Sequence, residues 1–406
     1  MQNNKISKSY GWKELVWLFS LTLLFTVSNN VHWRSSHLIW YGAIALFLFS
    51  YLLTFNVRIV ISNFNCIAWF FCFITFGVLS VFWSDALTEI IDVLKSLTVI
   101  FVIILFIQFS INSGFKIVTL LKCYFVALII NTIYIVFTID ISGLGDVQLG
   151  TGLIEGWNGN GIGFMTAQGA LIAWYLFGTT NYKIEKVFLC VCVIALSVLT
   201  MYTGSRTAFL MLIAQFVLYV CLGNPSKMLR NFLIAVLIVS LALYLVMNVD
   251  SFYKVLGHRL EGLFSLFKGD GEIDSSANIR DVFIQNGKEW FLDKPILGFG
   301  LNAYKTLNVI ATGRYTYAHN NFIELAVDLG LVGLILYYGA YLYLIVKLFK
   351  SFKNNHLIAF LLSALIASLV SHFGTVDYYG LYQNLLLLLC FNAVNFSKGN
   401  NKDKLL

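Results

Sequence analysis

Twelve stretches of this chain are apolar for long enough to matter, and they limit the fold before any motif is considered. They cover about 12–30, 38–55, 66–83, 96–110, 115–138, 161–178, 187–203, 207–222, 231–248, 321–346, 356–373 and 380–396. Most approach the roughly 17–25 residues that a helix needs to cross the hydrocarbon of a bilayer. Lipid offers a backbone no hydrogen-bond partner, so such runs must be helices. They do not alternate polar and apolar residues as the strands of a membrane barrel do. Only 12% of residues are charged, against about 25% in soluble domains. The sequence therefore predicts an all-α integral membrane protein of about 12 transmembrane helices. Residues 1–248 hold helices one to nine, 249–320 form a large extracytoplasmic loop with short amphipathic helices, 321–396 hold helices ten to twelve, and 397–406 form a cytoplasmic tail.

Charge sets the expected orientation. With the N-terminus inside, sixteen Lys and Arg fall on the inner side and eleven on the outer side. Eight of those eleven lie in the one long outer segment, whose charges say little about orientation; Arg34, Lys95 and Arg206 are the rest. Seventeen of the twenty acidic residues lie outside. The net charge of +7 is thus a property of the inner face and suits an anionic leaflet, not a nucleic acid. The apolar run from Leu15 to Val27 follows Lys5, Lys8 and Lys13, yet Ser28-Asn-Asn30 offers no small-residue cleavage site, so it reads as a retained span. All seven cysteines lie in apolar runs, which points to packing and not to disulfides or a metal site.

The chemistry belongs in the polar stretch from about Asn248 to Asn321 and in the turns near it. No phosphate-binding loop is present, and Gly298-Phe-Gly300 is too short to be a dinucleotide fingerprint. The acidic run Asp270-Gly-Glu-Ile-Asp274 has the ligands for a divalent ion but reads better as a solvated loop tip, so no metal is expected. Arg206, in the turn Thr203-Gly-Ser-Arg-Thr207, begins a short span. It is either a snorkelling anchor or a fork for phosphate oxygens. Arg280 opens a run, Ala277 to Phe291, in which Ile279, Val282, Phe283, Asn286 and Trp290 recur at helical spacing. That is an amphipathic helix lying on the membrane or over a cavity, with Arg280 near its N-terminal turn, where the dipole also favours an anion. His319 precedes span ten, and Asn320, Glu324 and Asp328 follow in i+4 steps along one face. A carboxylate about one turn away is expected to fix the imidazole tautomer, making His319 a base. The glycine-dense segment 139–163 is either a connector or a place where backbone approaches a ligand, with Asn160 as a supporting residue. Arg314, Tyr315 and Tyr317 stand beside His319, and aromatic rings there suit sugar faces.

These pieces together resemble a known superfamily. Thr203-Gly-Ser-Arg-Thr-Ala-Phe-Leu210 entering a span resembles the Ser-Arg signature of the O-antigen ligases and polymerases. So does the Arg280-led run ending Trp290-Phe-Leu-Asp-Lys-Pro-Ile-Leu-Gly-Phe-Gly-Leu-Asn302, and so does Ala318-His-Asn-Asn-Phe-Ile-Glu-Leu-Ala-Val-Asp-Leu-Gly-Leu-Val-Gly333. Gly159-Asn160-Gly161 resembles the Asn-containing turn before span six, although the usual proline is missing.

The resemblance implies a metal-independent glycosyltransferase of the bacterial cytoplasmic (inner) membrane, facing the periplasm or exterior, with both termini cytoplasmic and no cofactor. Its donor would be an undecaprenyl-diphosphate-linked glycan. Arg206 and Arg280 match the arginines that hold the diphosphate, and His319 matches the histidine that activates the acceptor hydroxyl. The expected function is a polymerase joining lipid-linked repeat units of O-antigen, capsule or exopolysaccharide, with a flippase and a chain-length regulator as partners. The alternatives are a ligase moving finished glycan to lipid A-core or another acceptor and, less well supported, a polysaccharide transporter or flippase. The last of these fits poorly, because the span centres carry almost no charge.

Overall fold

Each of the twelve apolar stretches is a helix in the computed structural model, which describes residues 11–55, 64–139, 149, 157–262, 275–353 and 355–398. In chain order the helices are α1 (Trp12–Asn29), α2 (Val31–Ser35), α3 (His37–Thr54), α4 (Asn65–Leu79), α5 (Leu87–Asn112), α6 (Ile117–Thr138), α7 (Gly159–Thr179), α8 (Lys183–Tyr202), α9 (Arg206–Gly223) and α10 (Met228–Asn248). The polar stretch contributes a π turn at Tyr253–Gly257, α11 (Ser275–Asp293) and α12 (Tyr304–Thr312); α13 (Asn321–Phe349), α14 (His356–Ser371) and α15 (Leu381–Lys398) complete the chain. No strand occurs among the described residues. Among the described residues eight helices, α3 to α6, α8 to α10 and α13, are long and apolar enough to cross a membrane, the α4 stretch running on to Phe82. The acidic run 270–274 and most of the glycine-dense segment, including Ser142 to Asp146, lie outside the described residues.

The helices below that threshold include the most enclosed ones. Thirteen residues of α7 are buried, from Ile162 to Leu176, and α14 is buried along nearly its whole length. A helix wrapped by other helices does not need lipid-grade hydropathy, so Thr166 and Gln168 sit in α7 without disturbing it. Thr166 shares a hydrogen bond of 2.8 Å with Thr200 of α8. The opposite case is α10, in which only Asn231, Ala235 and Val246 are buried.

The tenth span is broken. At Gly330 the backbone turns to φ 61°, ψ −160° inside α13, and the carbonyls and N–H groups freed there need partners. The turn Pro295–Gly300 supplies them: Phe299 and Gly300 donate their N–H groups to Val327 and Asp328 O (2.9 and 2.7 Å), and Leu331 and Val332 donate theirs to Pro295 and Ile296 O (2.8 and 3.2 Å). A Cβ on Gly330 would lie 2.4 Å from Ile296 O, and one on Gly298 2.5 Å from Asp328 O, so this seam requires glycine on both sides. The buried Asp328 completes it by accepting from the N–H groups of Asn302 and Tyr304, both at 2.9 Å. A turn that reads as loop punctuation is thus a strut fixed to the N-terminal half of α13.

Candidate functional site

The strut positions α11. Phe283 of α11 is buried with Tyr304, Ala318 and Val327, and Ile279 and Trp290 pack against them. Tyr304 donates its hydroxyl to Phe283 O at 2.7 Å. A Cβ on Gly287 would meet Ile323 Cγ2 at 2.3 Å, so glycine there lets α11 lie close to α13. The helix starts at Ser275, which puts Arg280 in its second turn. The expected help from the helix dipole is therefore corrected, because that effect fades beyond the first turn. The amphipathic face itself is as the spacing predicts, although Val282 is exposed.

His319 lies in the turn that leads into α13, with a left-handed φ of 53°. Asn320 caps the helix by accepting from Phe322 and Ile323 N–H (3.0 and 3.2 Å). The imidazole packs against Tyr317, with ring centroids 4.1 Å apart, and lies parallel to Phe283 at 6.4 Å. Burial, then the positive charge of Arg280, lower its pKa to about 4. Arg280 also opposes the rise that burial causes in the Tyr317 pKa. Arg280, Tyr317 and His319 thus form one electrostatic group. The tautomer expectation is corrected: His319 Nδ1 is buried with no hydrogen-bond partner among the described residues. Glu324 instead accepts the Ala318 N–H at 2.6 Å, because the carboxylate lies over the backbone of the turn. Neighbouring rings orient the imidazole where a carboxylate was expected.

Arg206 belongs to a second group. Ser205 caps α9 by accepting from Ala208 N–H (3.2 Å) and donates its hydroxyl to Asn160 Oδ1 (2.6 Å). Buried Arg206 donates Nη1 to Arg259 O at 3.3 Å, and Arg259 donates Nη1 to Gly204 O at 2.7 Å. Two guanidinium groups are thereby cross-tied over the turn. A Cβ on Gly159 would lie 2.7 Å from Thr203 O, and one on Gly163 2.8 Å from Thr203 Oγ1. These glycines admit the 203–208 turn and not a ligand.

A cavity of about 590 Å³ lies between the two groups. Asn160 lines it on one side and Tyr317 on another, so each group reaches it through a neighbour; His319, Arg206 and Arg280 do not line it. Arg34, Lys95, Trp157, Gln168 and Asp377 also line it. Asp377 stands on the turn between α14 and α15, which Asn321 holds by accepting from Asp377 and Tyr378 N–H (3.0 and 3.2 Å). Burial raises its carboxyl pKa to about 6, against the hydrogen bonds from Thr375 and Ser371. The Arg314 side chain is exposed, and its carbonyl accepts from Asn308 Nδ2 at 2.8 Å, a structural role.

Sequence reasoning missed Arg259 and Asp377. It counted Arg34 and Lys95 as outer charges, and their being the only basic residues in short outer loops besides Arg206 was the available signal. The arrangement can hold an anionic group near fixed guanidinium charges, and it keeps a neutral imidazole beside a polar, aromatic-lined space. No curated protein matches the chain. Residues 190–338, which contain Arg206, Arg259, Arg280 and His319, match the family model described as O-antigen ligase, and that segment supports the resemblance to the O-antigen ligase and polymerase superfamily.

Proposed function

We propose that the protein is a glycosyltransferase that uses a lipid-diphosphate-linked glycan at the outer face of the cytoplasmic membrane, and that it works as a polymerase of repeat units. The observation that carries this reading is the His319–Tyr317–Arg280 group beside the cavity. All twelve apolar helices cross the membrane in this reading, with both termini inside and the 249–320 segment outside. The Lys and Arg distribution supports that orientation. Nucleotide sugars are absent there, so the activated sugar arrives on undecaprenyl diphosphate.

The acceptor hydroxyl attacks the anomeric carbon, the bond to the diphosphate breaks, and the lipid diphosphate leaves with the electron pair. Arg206 and Arg280 stabilise that growing charge; removing one such donor from comparable sites costs about 2.7–4 kcal/mol. His319 takes the acceptor proton, an effect of about 10²–10⁴-fold. With a free-enzyme pKa of about 4 the imidazole is unprotonated at neutral pH, though a weak base. A diphosphate on Arg280 offsets the charge that depresses it, so the base strengthens once donor is bound. Sugars lie in the cavity against Trp157 and Tyr317. The step routes no electron pair through a metal.

The test is the glycan profile of a deletion strain. A polymerase leaves single-repeat products on the acceptor when lost. Long chains stranded on undecaprenyl diphosphate would assign the ligase reading instead, and an unchanged profile would remove both.

A further inference from the structure

One part of the cavity reaches Gln168, nine residues into α7 and so roughly 13 Å along that helix from its start. Buried Tyr124 sits behind it, donating its hydroxyl between Gln168 Oε1 (3.2 Å) and Asn29 Oδ1 (3.4 Å) and stacking on Tyr382 with ring centroids 5.5 Å apart. Asn29 Nδ2 donates to Phe25 O at 2.8 Å. Gln168 Nε2 has no such partner among the described residues, although the side chain lines the cavity. The Asp377 carboxylate, on the same cavity, accepts only from Thr375 at 3.4 Å and Ser371 at 3.5 Å, both longer than an ordinary hydroxyl bond. Trp157 lines the cavity at 6% exposure, and its indole N–H is also without a partner among the described residues. Polar groups withdrawn from water in this way carry a desolvation cost that a bound partner removes.

We infer that this part of the cavity is a subsite for one uncharged pyranose ring of the glycan, with Gln168 and Asp377 reading its hydroxyls. The inference rests on the glycosyltransferase reading above and adds the residues that select the sugar. The carboxylate needs a donor, the amide needs an acceptor, and the rings of Trp157 and Tyr382 need an apolar face. A hydroxyl is donor and acceptor at once, and a pyranose carries several of them around a ring whose C–H faces suit aromatic surfaces. A diphosphate offers acceptors alone and meets a carboxylate of its own sign, and a polyprenyl chain offers neither donor nor acceptor. The exposed cations on the cavity wall do not reverse this. Asp92 pairs with Lys95 at 3.0 Å, which leaves the Arg34 guanidinium to face the Asp377 carboxylate's charge alone.

The test is binding to the purified full-length protein in a sugar-free detergent, read by saturation-transfer NMR. The probes are the methyl glycosides of glucose, galactose, mannose and N-acetylglucosamine, with methyl glucuronide and inorganic pyrophosphate as competitors. At least one neutral glycoside should bind, and neither anion should displace it. Asp377→Asn should weaken that glycoside by about 10–100-fold, as for a lost bond to a charged group, and Gln168→Met by about 2–10-fold, as for a neutral one. Tyr124→Phe breaks the same internal bond as Gln168→Met but keeps the amide donors, so it should leave the affinity unchanged. The wild-type measurements need no variant to fold. Failure of every neutral glycoside to bind, displacement by pyrophosphate, or equal losses in Gln168→Met and Tyr124→Phe overturns the assignment. Binding needs no turnover, so the two readings fail separately. A protein that binds the glycoside through Gln168 but transfers no sugar loses the proposed function and keeps the subsite. Transfer whose acceptor and donor KM values ignore both Gln168→Met and Asp377→Asn loses the subsite alone.

Discussion

The two corners of the candidate site are built in opposite ways. At the Arg206–Arg259 corner the side chains are held by backbone carbonyls, with each guanidinium donating to a carbonyl beside the other. At the Arg280–His319 corner no carbonyl among the described residues fixes the imidazole Nδ1; rings pack around it, and the turn beneath it is anchored through Glu324 and the cap Asn320. A carbonyl cradle suits a group that must stay charged and still. An aromatic enclosure suits one that must stay neutral, because it withholds solvation from the protonated form. In the proposed mechanism the first corner stabilises charge and the second takes the proton. Arg280 belongs with the first by chemistry and with the second by place.

Removal of the imidazole should break the comparison most severely. His319→Ala is expected to lower turnover by about 10²–10⁴-fold, with the protein still in the membrane at normal abundance. Polymer of normal length and amount from that variant would leave the aromatic corner without a catalytic role.

Next come the arginines. Arg206→Lys and Arg280→Lys keep the charge but lose the planar fork, and each is expected to reduce turnover by about 10²–10³-fold, as for loss of a preorganised oxyanion donor. Steady-state rates of sugar transfer check this. An Arg206→Lys enzyme at wild-type rate would make Arg206 a membrane anchor and dissolve the cradle as a functional unit.

A smaller effect is expected at the strut. Gly330→Ala forces a left-handed backbone onto a residue that disfavours it, with Ile296 O in the way, at about 1–3 kcal/mol for such backbone strain. The melting temperature of the purified protein should fall, and turnover should fall further than at a packing site remote from the site, because the strut carries both α11 and the His319 turn. Equal loss at both would mean that Gly330 serves stability alone.

How much of this was readable beforehand follows from what each feature depends on. The helices were legible because lipid imposes one rule on every span, and the twelve apolar runs each became a helix. The pairing of Arg280 with His319 was legible only as a resemblance; nothing in the 38 intervening residues of this sequence states it. The break at Gly330 was hidden because Leu329-Gly-Leu331 continues an apolar pattern. It exists only because Pro295–Gly300 satisfies its backbone, a contact across 28 to 36 residues. Arg259 had no local signature, since its partner carbonyl belongs to Gly204. The role of Glu324 was misassigned because spacing tells which face a side chain occupies, not whether ring or backbone reaches it first.

The finest test concerns Arg280, which the comparison places in both corners. Burial and the Arg280 charge together lower the His319 pKa to about 4. Neutral imidazole is the active form in the proposed mechanism, so kcat/KM should be level at neutral pH and decline only as pH falls through about 4. Arg280→Gln removes the second cause and leaves burial, so the His319 pKa rises and the acid limb moves upward, toward neutrality. Asp377 complicates the profile because its carboxyl, raised to about 6 by burial, also faces the cavity. The two are separable: Arg280 is not among the causes that set the Asp377 pKa, so a limb that moves with Arg280→Gln and stays put with Asp377→Asn belongs to the imidazole. A limb that ignores Arg280 and follows Asp377 would pass the proton-accepting role to the carboxylate. It would leave His319 as part of the wall, and the two corners would then differ in packing but not in chemistry.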